Sequence, residues 1–189
     1  LFNYLTGVLL LEAGQIESAQ AKFKRAVDLD CFRVRTTDSF NTEAEKLAKN
    51  FGAITADVER VFAENSDHGI IGSELVYDHV HLTERGHYLV ARSVFNALKQ
   101  AKLRNNEIFP EKFPLEAEVL TMLGYTSADA VANLEHIISS MSRPPFTMQY
   151  GHKQRLAALS ETLAGMQQQN DRNKDIETTK AAHEQRSYD

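Results

Sequence analysis

Apolar residues at helical spacing open the chain. Phe2, Leu5, Leu9 and Leu10 recur with a period near one helical turn, and the pattern stops at Glu12-Ala13-Gly14-Gln15, where Gly14 suits a helix end. A second run follows with Ile16, Ala19, Phe23, Ala26 and Val27 on one face, so residues 1–30 predict a helical hairpin. A polar stretch, Thr36-Thr37-Asp38-Ser39, leads into a helix carrying Ala44, Leu47 and Ala48. Ala53-Ile54-Thr55-Ala56 reads as a short strand ending at Asp57, and Val58, Val61 and Phe62 as a helical turn. Residues 65–72 are rich in Gly, Ser, Asp and Asn and predict a loop. Leu75-Val76-Tyr77 runs into Asp78-His79-Val80-His81, after which Thr83 is placed to cap a helix through Tyr88, Leu89, Ala91, Val94, Phe95 and Leu98.

A second zone begins near Asn105. Pro110 and Pro114 bracket a turn, and Leu115 to Leu123 predicts a helix. Ser127 opens another, with Ala130, Val131, Leu134, Ile137 and Ile138 in phase up to Pro144-Pro145. Gly151 to Gln169 predicts a further helix with Leu156, Leu159, Leu163 and Met166 on one face. The tail from Asn170 is polar and charged: a frayed solvent-facing helix, or the start of a further repeat. The fold class expected is α+β and mostly helical, organised as 1–30, 31–104 and 105–189.

Gly7 and Ala19 are small enough to let the first two helices approach, with Phe23 and Ala26 filling the groove. This hairpin resembles a single tetratricopeptide repeat, which carries small residues and an aromatic at such positions. A lone repeat is expected to pack against another element or against missing repeats.

Composition narrows the function classes. Lys plus Arg number 21 against 26 Asp plus Glu, for a net charge of −5, and a chain without a basic excess is not expected to track phosphates on nucleic acid. Cys31 stands alone, so no intrachain disulfide framework is possible. The longest apolar run, Val8 to Leu11, is too short to span a bilayer, and no direct membrane contact is expected of this segment. The chain starts at Leu1 within an apolar pattern, which fits a piece of a longer polypeptide.

Asp78-His79-Val80-His81-Leu82-Thr83-Glu84-Arg85-Gly86-His87 is the densest chemistry in the sequence. Asp and His three apart before a helix start can meet across one tight turn. The carboxylate then fixes the tautomer of the imidazole and leaves the other ring nitrogen to take a proton. Other readings of the same residues exist. Asp78 could be a helix cap beside a surface histidine. His79, His81 and His87 could hold zinc, but no carboxylate or thiolate is evident to complete a tetrahedron, and no metal is expected. Arg33 and Arg35 could bind an anionic substrate or hold a carboxylate such as Asp38. His68 and His152 read as surface histidines.

The Asp-x-x-His block resembles the last sequence block of SGNH (GDSL-like) hydrolases. The resemblance extends through Asp28-Leu29-Asp30, Phe32-Arg33-Val34-Arg35, His68-Gly69-Ile70-Ile71-Gly72-Ser73-Glu74-Leu75, His79-Val80-His81-Leu82 with Gly86, and Arg143-Pro144-Pro145-Phe146-Thr147, over roughly residues 1–165. It is to a group in which a repeat-type hairpin interrupts the hydrolase domain. It implies that His81 is the general base, that Asp78 orients it, and that 31–104 forms the C-terminal portion of an α/β (flavodoxin-like) sandwich followed by a helical extension. It implies an acyl ester or acylated substrate for the parent, no cofactor, and an extracytoplasmic, membrane-anchored parent. The chain departs from the family in lacking Gly-Asp-Ser and Gly-x-Asn-Asp blocks. The nucleophile and oxyanion donors are therefore expected upstream of Leu1, and Ser73 is not expected to replace them. The competing reading is a protein-interaction scaffold, with the hairpin docking a partner beside a non-catalytic remnant.

Overall fold

The computed structural model describes residues 1–30, 36–101 and 109–186, with side chains described as far as Asn173. The protein is mostly helical: eight α-helices and no β-ladder occur among the described residues. Contacts divide the chain into two units, Leu1–Glu116 and Ala117–Asp189.

In the first unit, α1 (Phe2–Glu12) and α2 (Ile16–Asp28) form the hairpin. Gly14 takes φ +72°, and the N–H groups of Gly14 and Gln15 donate to the carbonyls of Leu11 and Leu10, closing the end of α1. Gly7 and Ala19 are buried, and a Cβ on Gly7 would lie 2.9 Å from the Phe23 ring. The two helices meet where the small residues permit it, and Tyr4 packs on Phe23 at 5.7 Å between centroids.

Helix α3 (Asp38–Phe51) ends at Gly52, φ +64°, and buries no residue. The short strand expected at Ala53–Ala56 does not form. A strand needs a paired neighbour, and these four residues pair with no strand among the described residues; the Ala53 N–H donates instead to the Ala48 carbonyl at 2.8 Å, and the Ala56 carbonyl accepts the Val58 N–H at 3.0 Å. The chain instead continues into α4 (Val58–Glu64), capped by the Asp57 carboxylate, which accepts the Arg60 N–H at 2.9 Å.

A 3₁₀ turn (Asp67–Gly69) and a loop lead to Leu75, and α5 (Glu84–Gln100) follows the dyad segment. The core of this unit is Phe62, Leu75 and Leu89, with Val58, Val61, Val76, Leu82, Tyr88 and Val90 packed around it. Leu75 and Leu89 are fully buried, so the segment between them is pinned at both ends. Residues 109–114 pack back onto α5: Phe113 stacks on Tyr88 and Phe95, and Tyr88 Oη donates to the Pro114 carbonyl at 3.1 Å.

Helix α6 (Glu116–Met122) leads to the second unit's main element, a hairpin of α7 (Ser127–Met141) and α8 (His152–Arg186). Thr126 and Asp129 make a reciprocal capping box at the start of α7. The helices run antiparallel, since Gln167 bonds Glu135 at 2.9 Å and Asn170 bonds the Ser127 carbonyl at 3.2 Å. Leu134, Ile137 and Met141 are buried. Helix α8 continues past Gln169 to Arg186, so the polar tail is helical through Arg186.

Candidate active site

The segment from Glu74 to Gly86 is a narrow loop whose two legs are tied together. Tyr77 N–H donates to the His81 carbonyl at 2.8 Å, Val76 and Leu82 form an isolated antiparallel bridge, and Thr83 N–H donates to the Leu75 carbonyl at 3.0 Å. Asp78 sits on one leg, just before the tip, and His81 on the other.

Asp78 is buried, 3% exposed, which is costly for a carboxylate without partners. It has three. Oδ1 accepts the N–H groups of Val80 at 2.7 Å and His81 at 2.8 Å, the closed local turn that Asp readily makes. Oδ2 lies 2.7 Å from His81 Nδ1. Burial pushes the Asp78 carboxyl up, but the His81 and Val80 N–H groups and the His81 ring outweigh it and hold its pKa below the ordinary value. A carboxylate at that position only accepts, so His81 Nδ1 carries a proton and, in the neutral ring, Nε2 presents a lone pair. The His81 side chain is half exposed.

Further contacts brace the loop. Tyr77 Oη donates to Glu84 Oε2 at 2.9 Å, and burial together with that carboxylate raises the phenol pKa above its usual range. The Thr83 hydroxyl donates to the Glu74 carbonyl at 2.9 Å and accepts the Gly86 N–H at 3.1 Å. Gly86 is buried, and a Cβ there would collide with the Leu75 carbonyl oxygen. The Glu74 carboxylate accepts Ser66 Oγ at 2.6 Å and the Gly72 N–H at 3.0 Å.

The sequence-derived residues fare differently. Asp78 and His81 are brought together. Arg33 and Arg35 lie outside the described residues, as does Cys31. Asp38, considered above as an arginine partner, pairs with Lys24 at 2.7 Å. Ser73 is exposed in the turn before the dyad. No group of three or more His, Cys, Asp or Glu able to hold a metal ion occurs among the described residues, nor does a helix long and apolar enough to cross a membrane. Sequence reasoning missed the Tyr77–Glu84 bridge and the second hydrogen bond of Thr83. It also missed the left-handed backbone of His68, φ 56°, whose carbonyl accepts Gln20 Nε2 at 2.6 Å. A His-Gly pair in a polar loop is compatible with that geometry, since His is among the residues enriched in it.

A cavity of about 330 Å³ lies elsewhere in the first unit, lined among others by Asp38, Asn41, Glu45, Asp57, Glu59 and Arg60. Arg60 is held by Asp57 at 3.3 Å and Glu64 at 2.6 Å, which leaves the lining acidic in balance.

What the dyad can do chemically is remove a proton from a hydroxyl or thiol brought to His81 Nε2 and hold the resulting imidazolium beside a carboxylate. No family model matches the chain, and comparisons with curated proteins and with solved structures find no match.

Proposed function

We propose that this chain is the C-terminal, base-bearing part of an SGNH-type serine hydrolase acting in ester or acyl hydrolysis or in acyl transfer. The observation that carries the reading is the Asp78–His81 pair: a buried carboxylate held by two backbone N–H groups and turned onto Nδ1 of a half-exposed imidazole. In the proposed reaction His81 Nε2 takes the proton of a serine hydroxyl as its oxygen attacks the acyl carbon. The proton then passes to the departing alkoxide, and Asp78 stabilises the imidazolium in between. The serine and the oxyanion donors would come from polypeptide preceding Leu1. That polypeptide would also supply the strands of the sandwich, none of which forms among the described residues.

The test is an assay with short-chain acyl esters on three samples: this chain, the longer protein containing it, and that protein with His81→Ala. The chain alone is expected to show only background, because a base accelerates little without a positioned nucleophile and oxyanion donors. The longer protein is expected to turn over ester, and His81→Ala to lower the rate by several orders of magnitude. Hydrolysis by the chain alone, with a serine-reactive probe on Ser73, would overturn the placement of the nucleophile. A second reading, a protein-interaction scaffold, draws on Phe2 and Leu9 of the hairpin, 78% and 66% exposed. An inert longer protein that binds a partner through residues 1–30 would favour it.

A further inference from the structure

We infer that Thr83 is the positioning residue of the Asp78–His81 pair, a role beyond capping α5 and one that rests on the reading of that pair as base and orienter. The buried polar residues among those described are Asp78, Thr83 and Ser93. Ser93 is satisfied within its own helix, donating to the Leu89 carbonyl at 2.7 Å. Thr83 is not satisfied locally: its hydroxyl spans to the opposite leg of the dyad loop, nine residues back, while accepting from Gly86 on its own side. One oxygen thus uses its donor and an acceptor site at once. The Thr83 N–H reaches the same opposite leg at Leu75.

The pair itself bridges the two legs, with Asp78 three residues after Leu75 and His81 two before Thr83. Any slip of one leg along the other changes the distance from Oδ2 to Nδ1, and a hydrogen bond weakens steeply with misalignment. Thr83 fixes that register from the end of the loop nearer the core, where Thr83 and Leu75 are buried. At the tip, the Tyr77–His81 backbone bond ties the legs beside the buried Asp78 and the half-exposed His81.

Three substitutions separate the two uses of the hydroxyl. Thr83→Ser keeps both. Thr83→Val, nearly isosteric, removes both. Thr83→Asp keeps an acceptor for the Gly86 N–H, and Asp caps helices as well as Thr does, but it cannot donate to the Glu74 carbonyl when ionised. The readout is the tautomer and low-field Nδ1 proton of His81 in the 189-residue chain, by nitrogen-15 NMR of labelled histidine, assigned against His81→Gln. Circular dichroism reports on α5 in parallel. The wild-type chain and Thr83→Ser are expected to show the Nδ1–H tautomer. Thr83→Val and Thr83→Asp are expected to lose the low-field proton and move toward the Nε2–H tautomer, with helix content kept in Thr83→Asp even if Thr83→Val unfolds α5. Retention of the low-field proton in Thr83→Asp, or its loss in Thr83→Ser, overturns the positioning role and leaves the pair standing. Its absence from the wild-type chain overturns the reading of the pair, and this inference with it.

Discussion

Helices α3 and α5 carry comparable apolar stripes and meet opposite fates. On α5, Gly86, Leu89 and Ser93 are buried, and Leu89 is sealed against Phe62 and Leu75. On α3, Phe40, Leu47 and Phe51 fall on one face at spacings of seven and four, yet are 63%, 56% and 84% exposed. The pattern of each helix says that a face exists. Only the rest of the structure says whether something covers it. The consequence for function is that the Asp78–His81 pair is mounted wholly on the covered side. Its supports run from Glu74 to Leu89, with Leu75 and Leu89 fully buried, and none of them is on α3.

The sharpest way to probe this asymmetry is to empty the core beneath the dyad. Leu89→Ala removes a fully buried side chain between α4 and the dyad loop, and such deletions cost about 2–5 kcal/mol. The urea midpoint should drop accordingly, and the His81 Nδ1 proton should broaden. A loss below about 1 kcal/mol would show that the core is not closed in solution. Gly86→Ala comes next. Its new methyl group meets the Leu75 carbonyl, a backbone atom that cannot rotate away, so the loop leg or the first turn of α5 must shift. Overpacking of this kind costs about 1–3 kcal/mol. Thermal unfolding measures it, and an unchanged midpoint would mean that the two legs are further apart than described.

Much of the covered side was legible in advance. Thr83 before a periodic apolar run announces a cap, and Asp-x-x-His announces a turn that can close on itself. Gly7, Ala19 and Phe23 announce a close helix pair, and the structure places them so. What was not legible depends on partners distant in sequence. Ala53–Ala56 has strand composition, but a strand needs a neighbour, and composition does not supply one. The Tyr77–Glu84 bond joins side chains across an irregular loop, where no period applies. The second bond of Thr83 reaches a backbone carbonyl nine residues away, and backbone carbonyls leave no mark on the sequence. The continuation of α8 to Arg186 carries no apolar stripe to announce it, and residues 170–186 mix good helix formers (Ala, Arg, Lys, Glu, Gln) with the weaker Asn, Asp and Thr.

Acid titration sharpens the comparison from the dyad itself. The Asp78 pKa is depressed in the folded protein, so the unfolded chain takes up this proton first as pH falls. Its contribution to stability is present in full above the ordinary carboxylate pKa of about 4 and is lost as pH drops through the lower folded value. Asp78→Asn keeps the shape and cannot ionise. It should cost roughly 1–2 kcal/mol at neutral pH, less than the core substitutions, and the gap to wild type should narrow below about pH 4. Denaturant melts across pH measure this, and a gap independent of pH would mean that the charge of Asp78 contributes nothing.

The smallest effect is expected on the open side, and it tests the premise of the comparison. Phe40→Gln, Leu47→Gln and Phe51→Gln replace exposed apolar groups on α3 by a residue that forms helix as readily as Leu and better than Phe. Helix propensity is therefore held level or slightly improved, and only the worth of the apolar contact is removed. Because these side chains already contact water over more than half their surface, there is little burial to lose. Each variant should unfold within about 0.5 kcal/mol of wild type. The same holds for the His81 Nδ1 signal, which draws no support from α3. A cost above about 1 kcal/mol in any of the three would mean that this face is covered in solution. If the midpoint also rises with protein concentration, a second copy of the chain does the covering. If it does not, a segment of the same chain folds over α3, and the contrast between the two helices is lost.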